Sequence, residues 1–184
     1  MRSCVVRSRS AFMSKVIIMP DSVAQWIKDL THADGRRRLT AAENLCHQAE
    51  AAHEAALALA RAAADEDDDV REAVVAALED LGPPPPEQLG ELIPLLTEPN
   101  GDVAYWAATL LGRLGPAAAP AVAALTSALG PAAPLTVRQR AAWALGNVGP
   151  AAASAAPALE MAAAHNDPRL ARLARQALDQ IRAK

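Results

Sequence analysis

One helical spacing recurs along this chain, and it limits what the chain can fold into more than any other feature. Val137, Ala141, Ala144, Leu145 and Val148 stand at offsets 0, 4, 7, 8 and 11, one face of a 3.6-residue helix. The same offsets pick out Val103, Ala107, Leu110, Leu111 and Leu114, then Val70, Val74, Ala77, Leu78 and Leu81, and again Leu170, Ala174, Ala177, Leu178 and Ile181. A worn copy with Arg37, Ala41 and Leu45 lies upstream. The anchors 37, 70, 103, 137 and 170 step by 33, 33, 34 and 33 residues. A step this constant is an internal repeat.

Partner helices keep the register. Eleven residues before the anchors stand Trp26, Leu59, Leu92 and Leu159, with Leu125 at twelve, where the one longer step falls. A single helix pair cannot bury its apolar stripe alone, whereas stacked pairs build a continuous core. Apolar residues make up 52% of the chain and aromatics only 3%. The difference is largely Ala, which favours close-packed helices over sheets. The expected fold is all-α, a right-handed α-α superhelix of about five helix–turn–helix units. They are placed at 21–49, 50–82, 83–115, 116–149 and 150–184, after a disordered leader or over-long start at 1–20.

Local chemistry agrees. Three residues before the anchors stand Asp34, Asp67, Asn100, Pro134 and Asp167, four of them good N-caps, with Thr136 as the substitute cap in the fourth unit. Arg38, Arg71 and Arg138 follow the anchors by one residue, placed to pair with acids of a neighbouring unit; Ala104 and Ala171 leave gaps in that ladder. Gly82-Pro83, Gly115-Pro116 and Gly149-Pro150 read as stops, Gly for a left-handed C-cap and Pro because it cannot continue the helix. Pro83 to Pro86 read as a short stiff linker that leaves the register intact.

The pattern D-x-x-V-R-x-x-A-x-x-A-L-x-x-L-G, from Asp67 to Gly82, Asn100 to Gly115 and Pro134 to Gly149, resembles HEAT repeats of the short phycobilisome-lyase type. The resemblance implies an armadillo-like right-handed solenoid with second helices lining the concave face. It also implies a family that spans scaffolds, partner-binding subunits, bilin-lyase subunits, a di-iron hydroxylase and DNA glycosylases, so the repeat does not choose a chemistry.

With second helices concave, offsets 2, 5, 6 and 9 are expected to be open. They hold Tyr105, Ala108, Thr109 and Gly112 in unit three, with Trp106 at the edge, and Gln139, Ala142, Trp143 and Gly146 in unit four. In unit five they hold Arg172, Arg175, Gln176 and Asp179. Tyr and Trp combine an apolar body with a polar tip and often anchor interfaces. The partner-binding residues expected on this basis are Tyr105, Trp106, Gln139, Trp143, Arg172 and Arg175. In the plainer alternative both Trp side chains fill gaps that Ala leaves between helices.

Other chemistries find little support. Formal net charge is −3, so nothing attracts nucleic acid globally. Arg169, Arg172, Arg175 and Arg182 make the last helix basic, which a soluble solenoid end also requires. Asp65 to Asp69 lack the Gly and distal Glu of a calcium loop. His47, His53 and Glu54, beside Glu43 and Glu50, are the only metal-ligand candidates; a di-iron site of the related hydroxylases uses several His-Glu pairs, and this chain has one. Ser127 and Ser154 have no His near them in sequence, Cys46 and His47 diverge on a helix, and no Gly-rich phosphate loop exists. Cys4 and Cys46 form no framework, and no apolar run is long enough to span a membrane. The expectation is a monomeric, cytoplasmic, non-catalytic module with no cofactor that binds a protein or peptide. The alternatives are a lyase- or hydroxylase-type subunit, or nucleic-acid binding through the last helix.

Overall fold

The structure, a computed structural model, describes residues 21–48 and 52–183. The proposed leader lies outside them, as do Glu50 and most of the Ala49–Ala52 stretch between the first two units. Among the described residues there is no strand. The helices come in pairs: α1 (Asp21–Asp29) with α2 (Gly35–His47), α3 (Ala56–Ala62) with α4 (Asp68–Asp80), and α5 (Leu89–Leu95) with α6 (Gly101–Arg113). Then follow α7 (Val122–Ser127) with α8 (Leu135–Val148), and α9 (Ala156–Ala163) with α10 (Pro168–Arg182).

The repeated offsets form the core. In the second to fifth units all of them are buried except Leu114, which is half-buried. The partner positions Leu59, Leu92, Leu125 and Leu159 are fully buried against them. The first unit keeps the register at Ala41 and Leu45, both buried, but not at its anchor: Arg37 is exposed, and Arg38 is buried beside it.

Arg38 is buried because it has partners. Its guanidinium donates to Asp65 at 2.7 and 2.9 Å and to the carbonyls of His32 and Ala33. This is the expected inter-unit rung, joining the first unit to the acidic loop of the second. Burial pushes the Asp65 carboxyl up, but the Arg38 hydrogen bonds, the Asp67 amide and the charges of Arg38 and Arg71 outweigh it, so the group titrates below the usual carboxylate range. The other arginines behave differently. Arg71 pairs with Asp68 of its own turn, and Arg138 reaches the Leu129 carbonyl at 3.0 Å and the His165 ring at 3.3 Å.

Asp34, Asp67, Asn100 and Asp167 all cap their helices, accepting from backbone amides at 2.9, 2.9, 2.9 and 2.7 Å. Two residues before three of these caps, His32, Asp65 and His165 accept from the cap's own amide at 3.0 Å. Each loop thus satisfies the donors that a helix start leaves open. Thr136 is not a cap: α8 starts at Leu135 behind Pro134, leaving Thr136 inside the first turn.

Gly115 and Gly149 take φ of +58° and +73°, the left-handed stops expected of them, and each leads into a 3-10 stretch before the next helix. Gly82 does not take positive φ. The residue before a proline is driven towards extended backbone. Consecutive prolines therefore keep 81–85 out of helix until a short 3-10 turn at Pro86–Gln88. Gln88 then ties this turn back to the second unit, donating to the Glu54 carbonyl at 2.7 Å and accepting from the Leu57 amide at 3.2 Å.

Candidate partner-binding groove

The second helices α2, α4, α6, α8 and α10 stack side by side, but unevenly. The pairs α2–α4, α6–α8 and α8–α10 pack closely, while α4 and α6 barely approach each other. The α6–α8 and α8–α10 pairs follow a rule that the offsets did not anticipate. In α8, Gly146 and Gln139 (offsets 9 and 2) face α10: a Cβ on Gly146 would meet Ala177 Cα at 3.0 Å, and Gln139 donates to Asp167 at 2.9 Å. Trp143 and Arg140 (offsets 6 and 3) face back to α6. A Cβ on Gly112 would meet the Trp143 ring, at 2.7 Å from Cε3, and Ala144 Cα at 3.0 Å.

On α6 and α8, offsets 2 and 9 therefore face the following unit, and offsets 3, 6 and 10 the preceding one. The expectation that offsets 2, 5, 6 and 9 are open holds in unit two, where Glu72 and Glu79 are exposed, and fails in units three and four. Ala108, Thr109, Gly112, Ala142 and Gly146 are all buried. Their small side chains are what lets the helices come together.

Offset 10 carries polar residues that reach back. Arg113 donates to the Leu78 and Leu81 carbonyls at 2.7 Å and to that of Glu79 at 3.1 Å, capping the C-terminus of α4. Burial lowers the pKa of this guanidinium, as does the nearby charge of Arg140. Asn147 donates to the Gly112 carbonyl at 3.2 Å in the same manner.

What remains open is a groove of about 600 Å³ across α4, α6, α8 and α10. Its centre is an aromatic–cation stack. The Arg140 guanidinium lies 4.8 Å from the Tyr105 ring centroid and 5.3 Å from that of Trp143, and it donates to the Tyr105 hydroxyl at 2.6 Å. Cation–π contacts of this kind orient a charge without neutralising it. Glu72, Glu79 and Asp102 line the α4–α6 end, and Arg169 and Arg172 the α10 end. All five are exposed.

The expected binding residues divide. Tyr105 and Trp143 are half-buried in the centre of the groove, and Arg172 lines its basic end. Trp106 is only 6% exposed, its ring edge-to-face with that of Tyr105 at 5.3 Å, and what remains open of it lines the groove. Gln139 also borders the groove, but its amide is held by Asp167. The Asp167 carboxyl is lowered in turn by the Leu170 amide, with Gln139 and His165 adding to the effect against partial desolvation. Arg175 is exposed but does not line the groove.

Arg140 was missed by the offset reading. It stands at offset 3, 35 residues after Tyr105 at offset 2 of the preceding unit. One repeat length plus one residue brings those offsets into contact, and that spacing was the available signal. His47 lies at the end of α2 and His53 and Glu54 in the following 3-10 turn, all exposed. Among the described residues no group of three or more His, Cys, Asp or Glu is arranged to hold a metal ion, and no helix is long and apolar enough to cross a membrane.

Residues 89–179 match the family model for HEAT repeats. No curated protein matches the chain. Among solved structures, an engineered protein is similar at 23% identity and a TM-score of 0.62, covering 86% of this chain and 78% of its own. A designed armadillo repeat protein in complex with the peptide (KR)4 is similar at 19% identity and a TM-score of 0.59, over 86% and 81%. The complex of CpcE and CpcF of phycocyanin lyase from Nostoc sp. PCC7120 is similar at 24% identity and a TM-score of 0.63, over 98% and 71%. Period, caps, stacked second helices and these comparisons agree: the chain has the armadillo/HEAT-like α-solenoid fold, and residues 89–179 match HEAT repeats.

Proposed function

We propose that this chain is a non-catalytic binding module that takes a protein or peptide partner in the groove over α4, α6, α8 and α10. The observation that carries the reading is the half-buried Tyr105–Arg140–Trp143 stack at the floor of an open groove. Aromatics and Arg with part of their surface exposed in a concavity are the residue types that dominate interface energetics. Their ordering is already complete in the free protein, which lowers the entropy cost of docking. A solenoid of this fold accommodates a peptide in the designed armadillo repeat protein. Arg172 flanks the stack, while Trp106 and Gln139 support it from within.

Site-specific photo-crosslinking tests the reading. A photoreactive side chain at Arg172, in the groove, is compared with one at Met161, which is 73% exposed on α9, a first helix that contributes nothing to the groove. In extract of the source cells, Arg172 is expected to yield a discrete protein adduct that is lost in Tyr105→Ala/Trp143→Ala with helicity retained. Equal adducts from Met161, or an adduct indifferent to the aromatic pair, would place the binding surface elsewhere.

A further inference from the structure

The groove is polarised, and its charges are not spent internally. Glu72, Glu79 and Asp102 stand at one end, and Arg140, Arg169 and Arg172 cover the rest. Arg71 also lines the acidic end, but Asp68 meets its charge. No carboxylate pairs with Arg140, Arg169 or Arg172 among the described residues.

Arg140 is the notable member. Two aromatic rings flank its guanidinium, Nη2 is fixed on the Tyr105 hydroxyl, and Nε is buried without a hydrogen-bond partner. A partly desolvated charge with no counter-ion is costly, and the cost is relieved when an anion arrives. A guanidinium oriented in advance presents its remaining N–H groups as a fork that suits a carboxylate. The acids at the other end select the kind of anion. A nucleic acid strand running along the groove would carry its phosphates across Glu72, Glu79 and Asp102. A peptide can confine its negative charge to one half.

We propose that the α8–α10 half of the groove receives an acidic stretch of a partner polypeptide, with a side-chain carboxylate seated on Arg140 and Arg169 and Arg172 supplying the flanking positive charge. This rests on the reading of the groove as a peptide-binding surface and specifies which peptide it takes.

The test is a selection of random dodecapeptides, displayed on phage, against the immobilised full chain. Affinities of the recovered sequences are then measured by fluorescence anisotropy. Asp- and Glu-containing peptides are expected, weakened about tenfold or more by Arg140→Gln and severalfold by the exposed Arg172→Gln, with weaker binding as salt is raised. Circular dichroism accompanies each variant. Should Arg140→Gln unfold the protein, Arg169→Gln and Arg172→Gln, both exposed, carry the comparison. Recovery of Lys- and Arg-rich peptides that lose affinity in Tyr105→Ala/Trp143→Ala would overturn the acidic partner while leaving the groove reading in place. Peptides indifferent to that aromatic pair would overturn both. Tighter binding of a single-stranded oligonucleotide than of any recovered peptide would also overturn the proposal.

Discussion

Gly112→Ala adds one methyl group where α6 and α8 touch, and its sign is not obvious from the sequence. Replacing Gly by Ala within a helix is worth about 1 kcal/mol in stability through conformational preference alone. Here the new Cβ would lie 2.7 Å from Trp143 Cε3 and 3.0 Å from Ala144 Cα. The ring can rotate away, but the backbone of α8 can retreat only by opening the helix pair. Overpacking of this kind costs about 1–3 kcal/mol. Displacing the ring also loosens its contact with Arg140, now 5.3 Å from the ring centroid.

Because the clash includes α8 backbone, the packing cost lies in the upper part of that range, about 2–3 kcal/mol, and after the propensity gain the net expectation is a loss of about 1–2 kcal/mol. At roughly 2–4 °C per kcal/mol for a chain of this size, Tm falls by about 2–8 °C. Thermal and urea unfolding followed by circular dichroism measure the loss, and Trp emission reports displacement of the ring. Gly90→Ala on α5, where nothing lies within 4 Å, is the control and is expected to gain about 0.5 kcal/mol. Trp143→Leu in the Gly112→Ala background is expected to recover part of the loss, because the two sites share one contact. A Gly112→Ala protein as stable as the parent, or additive with Trp143→Leu, would refute the argument.

Asp65→Asn is expected to lower stability from about pH 5 to 7. The folded carboxyl titrates below its unfolded value of about 3.9, so its contribution is present above that value and fades as pH falls through the folded pKa; Tm of variant and parent should converge as pH is lowered below the unfolded value. Arg113→Met leaves the Leu78 and Leu81 carbonyls without their donor and is expected to cost about 1–3 kcal/mol, read by urea unfolding, with faster amide exchange in the last turn of α4. Asn100→Ala removes the cap of α6 and should cost about 1 kcal/mol by the same unfolding measurement, whereas Asn100→Asp should not.

The fold was legible because helix periodicity and the caps are local properties. Val70, Val103, Val137 and Leu170 mark buried positions whatever lies around them, and Asp67 or Asn100 caps its helix with its own side chain. The first unit departs at Arg37 because Arg38 is drawn inwards by Asp65, 27 residues away; the repeat pattern marks the pairing but not the burial that comes with it. The groove was harder for the same reason. An offset describes one helix in isolation, whereas the open faces of units three and four depend on their lateral neighbours. Those neighbours cover Gly112 and Gly146, claim the amide of Gln139 and bury Trp106. They leave Tyr105 and Trp143 half-buried, with Arg140 held against both rings.

The unevenness of the stack traces to a single offset. At offset 9 units two to four carry Glu79, Gly112 and Gly146, and both glycines face the following second helix. Where that residue is Gly, α6 packs on α8 and α8 on α10. Where it is Glu79, α4 and α6 stay apart, since a carboxylate cannot be pressed into an interhelical seam without a partner. The separation is spanned by Arg113 at offset 10, which fastens onto the end of α4. The same Glu79 that keeps these helices apart lines the groove, and so does Glu72 two turns earlier on the helix face that α6 would otherwise cover. One departure from a small residue in an otherwise regular array therefore accounts for where the groove extends towards α4 and for the acidic character of that end.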